Sequence, residues 1–241
     1  MAGLGTIINA LGIVLGGLAG LLFGKLIPQR CQDSLSTACG VSVLFIGIGG
    51  AMEEMLTVEG AAVSSGRGML ITLCLALGAL IGEIINIEGI FERFGSWLKV
   101  KTGNARDKGF VDGFVTASLT VCIGAMAIVG AIQDGLMGDY SILTTKAILD
   151  FIIIMVMTCS LGKGCIFSAI PVAALQGGVT ALAQFIKPVM TDAALANLSL
   201  VGSVLIFCVG VNLVFGKKVR VANLLPAVVL AAVAAFLPVS F

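Results

Sequence analysis

Residues 112–135 read DGFVTASLTVCIGAMAIVGAIQDG and combine the length of a membrane span with internal polarity. About 20 helical residues cross the hydrocarbon core of a bilayer. This stretch nevertheless begins and ends on Asp-Gly and carries Thr, Ser and Thr inside. Its small and polar side chains recur on one helix face, at Asp112, Thr116, Thr120, Gly124, Ala127 and Ala131. Such a face predicts either close helix packing or the wall of a hydrated cavity.

The composition predicts an integral membrane protein. Of 241 residues, 59% are hydrophobic and 11% are charged, whereas about 25% of the residues in a soluble domain are charged. A soluble fold cannot hide that much apolar surface from water, so the lipid bilayer is the expected solvent and partner. The net charge of +1 gives no indication of a nucleic-acid partner.

The residue types argue against enzymatic chemistry. Histidine is absent, which removes the commonest general base and metal ligand. The seven cysteines are scattered, without a CxxC pair or a metal-ligand spacing, so neither a disulfide framework nor a metal site is expected. No hydrolase or phosphate-loop motif is present. We expect no enzymatic activity, no cofactor and no bound metal.

Apolar runs of about 20 residues predict a single all-α membrane domain over residues 1–241. We count eight runs, at 5–26, 34–52, 67–86, 110–132, 142–161, 165–186, 193–215 and 220–239. The fifth and sixth are separated only by residues 161–164, a tight turn or a helix break. Eleven of the 14 Lys and Arg residues then fall on one side. Because Lys and Arg remain cytoplasmic, both termini are predicted to face outside.

A separate amphipathic helix is predicted over residues 88–99. Its apolar residues recur at helical spacing, at Ile90, Phe91, Phe94, Trp97 and Leu98. Charged residues occupy the rest of its circumference, which is typical of a helix lying in the cytoplasmic membrane interface. A docking surface for a partner protein is the alternative.

A ladder of small residues runs along the first span. It consists of Gly12, Gly16, Gly20 and Gly24. The sixth span has the same spacing 161 positions later, at Ala173, Gly177 and Ala181. Such ladders allow helix backbones to approach closely. We predict that these residues mediate helix packing, either within one chain or in a homodimer.

The ladders indicate an internal repeat. At the same offset, SVL at 42–44 matches SVL at 203–205. Repeat units of about 5–86 and 165–239 would flank central spans at about 110–161. The first span then corresponds to the sixth, an odd displacement, so the units face opposite ways. Inverted repeats are typical of secondary transporters, although other membrane proteins contain them too.

Asp150 is the strongest candidate for a functional residue within the membrane. It lies about two turns into the fifth span, where a charged side chain is costly and usually faces a partner or a hydrated path. Lys146 lies one turn earlier and is able to pair with it. Two interpretations remain open: a structural ion pair, and a carboxylate that couples transport to a cation or proton.

Four polar residues of the fourth span have structural interpretations as well as functional ones. Asp112 lies at a helix start, where the helix dipole favours a negative charge. Asp134 is expected in the outer headgroup water. Thr116 and Thr120 are able to bond their own helix backbone. Asp112, Thr116 and Thr120 share one helix face and would also suit a polar pathway.

One residue of the sixth span and one of the turn before it complete the candidates. Gln176, like Asn9 of the first span, is an intramembrane amide that can bond across a helix interface. Lys163 is bracketed by Gly162 and Gly164. It either sets the topology at a cytoplasmic turn or attracts an anion to a broken helix end.

Five long segments resemble a known family. They read GTIINALGIVLGGLAG, GFVTASLTVCIGAMAIVGAIQDGL, KAILDF, LGKGCIFSAIPVAALQGG and VRVANLLPA. Over essentially its whole length the chain is similar to the YqgA/YdfK-like family of uncharacterised bacterial membrane proteins. That family often has Pro where this chain has Ala125, so the resemblance does not establish a kink there. It implies a multi-pass protein of the bacterial inner (plasma) membrane with a suggested transport role, and it supplies no substrate or catalytic residues.

Together these features predict a secondary transporter or channel-like carrier of a small solute or ion. Its pathway would run near spans four to six and be lined by Asp150, Thr116, Thr120 and Gln176, with Asp112 and Lys163 as further candidates. The alternative is a membrane scaffold or signalling partner. It would use the glycine ladder for self-association and the amphipathic helix for docking.

Overall fold

The computed structural model describes residues 3–59, 62–188 and 190–236, and the regular secondary structure in these ranges is helical except for one β-hairpin. The helices are α1 (Leu4–Leu26), α2 (Gln29–Met55), α3 (Gly68–Ile85), α4 (Ile87–Lys101), α5 (Phe110–Cys122), α6 (Ala125–Met137), α7 (Ser141–Leu161), α8 (Ala169–Ala181), α9 (Ala183–Ile186), α10 (Asp192–Phe215) and α11 (Pro226–Ala234). Short 3₁₀ helices, Lys163–Ser168 and Val221–Leu224, precede α8 and α11. The prediction of an all-α polytopic membrane protein is confirmed.

The helices in the described ranges include six that are long and apolar enough to span a bilayer. A seventh span is formed if α5 and α6 count as one bent pair, and Val221–Ala234 is a shorter apolar helix. Each of the eight predicted runs therefore coincides with helical structure, while the number that cross the membrane stays a prediction. The last predicted run ends at 239, and its residues 237–239 lie outside the described residues.

Large apolar side chains are exposed on the outside of the helix bundle. Leu15 and Leu22 of α1 are 57% and 66% exposed, and Phe45 of α2 is 70% exposed. Helices that are apolar on their outer faces are stable in lipid, where no hydrophobic penalty opposes that exposure.

The fourth span is not the continuous helix that was predicted over residues 110–132. Its two halves, α5 and α6, meet at a bend of 63°. Gly124 forms the break, with φ 139° and ψ 149°, a backbone region that is open only to glycine. The polar face of α5 therefore does not continue as one stripe past Gly124, which corrects the sequence-based prediction.

A β-hairpin that the sequence analysis did not predict connects α2 to α3. Strand β1 (Leu56–Glu59) pairs antiparallel with β2 (Ala62–Ser65). The amphipathic segment, in contrast, is helical as predicted and extends slightly further, over Ile87–Lys101. The Asn86 side chain caps it by accepting a hydrogen bond from the Gly89 N–H at 3.2 Å.

The glycine ladder of the first span packs inside the chain. A Cβ at Gly12 would lie 3.0 Å from the Ala147 carbonyl oxygen of α7, and Gly16 and Gly20 contact the carbonyls of Phe151 and Met155 in the same way. Helices α1 and α7 therefore run parallel and in close backbone contact. Any larger side chain at these positions would push them apart.

Two apolar clusters flank the centre of the bundle. One is built on Phe110 and Phe114 of α5 with residues of α3, α10 and α11. The other joins Ile13 of α1, Ile154 of α7 and Val172 of α8. The buried polar residues of α1, α7 and α8 lie close to the second cluster. Because they are shielded from solvent there, their hydrogen-bond partners must be other protein groups.

Candidate functional site

A buried ion pair on α7 forms the centre of the candidate site. Lys146 and Asp150 lie one helical turn apart, and Lys146 Nζ is 2.5 Å from Asp150 Oδ2. Both residues are buried, at 7% and 3% exposure. The pair matches the structural interpretation of Asp150 in its geometry. Ion pairs buried within membrane helices also occur on ion pathways. The groups around the pair are therefore needed to distinguish a structural role from a transport role.

The break in the fourth span supplies the third partner of the pair. The last carbonyls of a helix have no donor within that helix. Because α5 ends at Cys122, the Val121 carbonyl needs a partner from elsewhere, and Lys146 Nζ donates to it at 2.9 Å. Lys146 therefore connects the Asp150 carboxylate to the carbonyl end of a half-helix. Discontinuous spans of this kind form ion and substrate sites in secondary transporters.

Two amides extend the polar centre to neighbouring helices. Asn9 Nδ2 of α1 donates to Gln176 Oε1 of α8 at 3.2 Å. The Asn9 side chain also lies beside the Asp150 carboxylate. Asn9 thus bonds Gln176 and neighbours Asp150, and the three helices meet at one polar centre.

Asp134 lies in a different place from the one that was predicted. It is completely buried, not solvated in the outer headgroup region. Its Oδ2 accepts a hydrogen bond from the Gly5 N–H at 3.0 Å. The carboxylate thus binds the N-terminal end of α1, where unpaired N–H groups and the helix dipole attract a negative charge.

A cavity of about 290 Å³ opens at the predicted cytoplasmic end of the bundle. Asp112 and Thr116 of α5 line it. One turn deeper, the Thr120 hydroxyl donates to the Thr116 carbonyl at 2.8 Å, as the structural interpretation of these threonines predicted. These α5 side chains extend from the cavity towards the end of α5 that Lys146 contacts.

Charged residues of α4 and of the loop before α11 border the same cavity. Lys217 Nζ lies 2.6 Å from Glu88 Oε1 and 2.7 Å from Glu92 Oε1. Partial burial lowers the pKa of Lys217, but the hydrogen bonds to Glu88 and Glu92 outweigh it and raise this pKa above its ordinary value of 10.5. The amphipathic helix is thereby attached to the bundle beside the cavity.

Comparison with known proteins identifies the family. The family described as "Protein of unknown function (DUF554)" matches residues 4–236. The chain belongs to the DUF554 family. It is 32% identical over 232 residues to the uncharacterized protein YqgA of Escherichia coli (strain K12), covering 95% of this chain and 94% of YqgA. It is 30% identical over 232 residues to the uncharacterized membrane protein YdfK of Bacillus subtilis (strain 168), covering 96% and 95%. No solved structure matches the chain.

In this DUF554 protein, two of the residues singled out from the sequence lie away from the polar centre. Lys163 is exposed and borders a surface cavity with residues 103–107. A Cβ added at Gly177 of α8 would have no atom within 4 Å, whereas a Cβ added at the glycines of the α1 ladder would touch α7. The polar centre instead joins Asp150 and Gln176, while Asp112, Thr116 and Thr120 lie on the α5 approach to it.

Asn9 and Asp134 of this DUF554 protein have partners that their sequence context does not predict. The sequence predicts Asn9 only as an amide that bonds across a helix interface. It predicts Asp134 in the outer headgroup water. Both residues lie in segments that carry the family resemblance, but their closeness to Asp150 and to Gly5 depends on contacts between residues more than 100 positions apart.

Proposed function

We propose that this protein is a secondary transporter or channel-like carrier of a small solute or ion. The pathway would run beside α5, α7 and α8. The observation that carries the proposal is the bond of Lys146 to both Asp150 and the Val121 carbonyl at a broken span. Because Lys146 bonds both Asp150 and the end of α5, a movement of α5 would change the partners of Lys146. Such an exchange of partners suits a gate or a coupling site.

A route of polar groups leads towards this centre from one side. The cavity lined by Asp112 and Thr116 supports access from the predicted cytoplasmic end. Thr120 continues the same face of α5, and Lys146 contacts the end of that helix. A small polar solute or ion would thus find polar side chains from the cavity to the ion pair.

The arrangement of helix pairs supports the inverted repeat that the proposal includes. Helix α1 packs along α7, and its counterpart, the span of Lys163–Ser168 and α8, packs along α5 and α6. Helix α2 packs against its own counterpart α10, and α3 packs against α11. These pairings are those of a bundle in which a twofold axis exchanges spans one and six, two and seven, three and eight, and four and five.

The orientation and location remain part of the proposal. The excess of Lys and Arg in the loops after the odd-numbered spans supports cytoplasmic loops there and both termini outside. The multi-pass fold supports residence in the bacterial inner membrane. In this orientation the 290 Å³ cavity faces the cytoplasm.

The scaffold hypothesis receives less support from the packing. The ladder of Gly12, Gly16 and Gly20 is occupied by α7 of the same chain. It is therefore not a free surface for a homodimer, and the amphipathic helix α4 is attached through Lys217 and contacts α5.

Reconstituted liposomes provide the test. After a hyperosmotic shock with a salt or a small neutral solute, re-swelling followed by light scattering measures solute influx. We expect protein-dependent influx of at least one probe, and a loss of at least tenfold in Asp150→Asn that retains the wild-type circular dichroism spectrum. The control is Glu53→Gln, an exposed acid at the end of α2. Equal influx in Asp150→Asn would remove this residue from the mechanism, and influx equal to that of protein-free liposomes for every probe would contradict transport.

A further inference from the structure

Three hydrogen bonds tie α1, α6 and α8 together in the outer half of the bundle. Asn9 of α1 bonds Gln176 of α8. The Gly5 N–H of α1 bonds Asp134 of α6. The Thr180 hydroxyl of α8 donates to the Ala131 carbonyl of α6 at 3.1 Å. Each helix is thus linked to the other two within about one helical turn, since 5 and 9, 131 and 134, and 176 and 180 are neighbours along their helices.

Four buried polar atoms belong to three residues that form these bonds and to Thr6, the chain neighbour of Gly5. Thr6 Oγ1, Asn9 Oδ1, Asp134 Oδ1 and Gln176 Nε2 find no hydrogen-bond partner in the described part of the chain. Their residues are between 0% and 7% exposed. An unpaired buried polar atom is uncommon, and four such atoms in one interhelical region require an explanation.

The charges in this region do not balance. Lys146 compensates Asp150, but no Lys or Arg in the described ranges forms an ion pair with Asp134. A buried carboxylate without a counter-charge carries a desolvation penalty of several kcal/mol. One additional positive charge beside Asp134 would remove this penalty.

Gly5 makes room for the carboxylate at this point. A Cβ at position 5 would lie 3.1 Å from Asp134 Oδ2 and 2.7 Å from a Leu143 methyl group. The chain thus brings a carboxylate against a helix end, at the residue that precedes Thr6. Three of the four unpaired atoms are oxygens, and oxygen is the ligand that hard cations prefer.

We propose that Asp134 Oδ1, Thr6 Oγ1 and Asn9 Oδ1 form a binding site for a small monovalent cation, with Na⁺ as its representative. One carboxylate balances a single positive charge, which disfavours a divalent ion. Asn9 also lies beside the Asp150 carboxylate, so the proposed cation site adjoins the ion pair. In the proposed function this cation is the coupling ion. That role rests on the proposal of transport, whereas binding of the cation does not.

Thermal unfolding of the purified protein in detergent tests the site. The midpoint is measured in increasing NaCl, with choline chloride holding the ionic strength constant. We expect a saturable rise with Na⁺, because a ligand that binds only the folded state stabilises it. The rise should be absent in Asp134→Asn and should require at least tenfold more Na⁺ in Thr6→Val. Thr158→Val is the matched control, because Thr158 is also a buried threonine with an unpaired hydroxyl, but it lies on α7 outside the site.

The outcomes separate the two proposals. Equal midpoints in Na⁺ and choline, a Na⁺ effect that persists unchanged in Asp134→Asn and Thr6→Val, or stabilisation by Ca²⁺ in preference to Na⁺ would overturn the cation site. If Asp134→Asn does not fold, Thr6→Val decides, because it preserves the shape of the side chain. Na⁺-dependent stability without flux would contradict transport alone, and flux without Na⁺-dependent stability would contradict the cation site alone.

Discussion

Lys146 and Asp150 form an ion pair within α7, and the same lysine binds the Val121 carbonyl where α5 ends. The pair therefore joins a continuous span to a broken one. Asn9 of α1 lies beside Asp150 and bonds Gln176 of α8. A change in the pairing of Asp150 would therefore alter contacts among four helices.

Replacing one partner of the ion pair is expected to destabilise the protein more than replacing both. Asp150→Asn or Lys146→Met alone should cost about 3–5 kcal/mol, because the remaining charge is buried without a partner. The double variant Lys146→Met/Asp150→Leu should recover most of that loss, although the Val121 carbonyl loses its donor. Unfolding followed by circular dichroism in detergent measures the difference. If the free energy of unfolding of each single variant were within about 1 kcal/mol of the wild-type value, the pair would be hydrated and not buried.

Enlarging the glycine ladder is expected to separate α1 from α7. A Cβ at Gly16 would overlap the Phe151 carbonyl, whereas Gly177 has no atom within 4 Å of an added Cβ. Gly16→Ala should therefore lower the unfolding midpoint. Gly177→Ala should leave it unchanged or raise it slightly, since Ala favours a helix over Gly by about 1 kcal/mol. Equal effects of the two substitutions would contradict the packing of this ladder inside the chain.

The break in the fourth span is expected to depend on Gly124. No atom lies within 4 Å of an added Cβ there, so the cost of Gly124→Ala is a backbone cost, of about 1–3 kcal/mol for the φ of 139°. Gly49→Ala is the control, because Gly49 is helical and equally free of neighbours. The thermal midpoint and the liposome influx should both fall in Gly124→Ala only. A variant at Gly124 with unchanged stability would indicate that the span can be straight.

Lys217 is expected to hold α4 against the bundle at neutral pH. Its pKa in the folded protein lies above the ordinary value of 10.5, so its stabilisation is fully present below pH 10.5 and is lost as the pH rises through the folded-state pKa. Lys217→Gln leaves the buried Glu88 carboxylate without its cation. Hydrogen exchange of residues 87–101 should therefore accelerate at pH 7, whereas Lys218→Gln should leave it unchanged. Equal exchange in both variants would contradict the attachment.

Much of the fold could be predicted because membrane helices carry their signal locally. The apolar runs predicted where helices occur, and the spacing of Phe91, Phe94 and Trp97 predicted the amphipathic helix that is observed as α4. The pairing of Lys146 with Asp150 was also one of two stated interpretations, because residues four apart on a helix are neighbours wherever the helix lies.

The break at Gly124 and the burial of Asp134 could not be predicted in the same way. A glycine within an apolar run is compatible with a straight helix, so its positive φ depends on how α5 and α6 pack against α8 and the 3₁₀ helix before it. Asp134 follows an apolar run as a solvated residue would. Only the arrival of Gly5, 129 positions away in the sequence, makes it a buried acceptor.

The sequence by itself determined the class of this protein, its helices, its family and the deep position of Asp150, because hydrophobic length and four-residue spacing act within one helix. Only the tertiary structure decided that Asn9 and Gln176 lie beside the ion pair, that Asp134 is buried against Gly5, and that the α1 ladder contacts α7. The physical reason is that burial and hydrogen-bond partners are properties of helix contacts, and these contacts join positions that no local pattern connects.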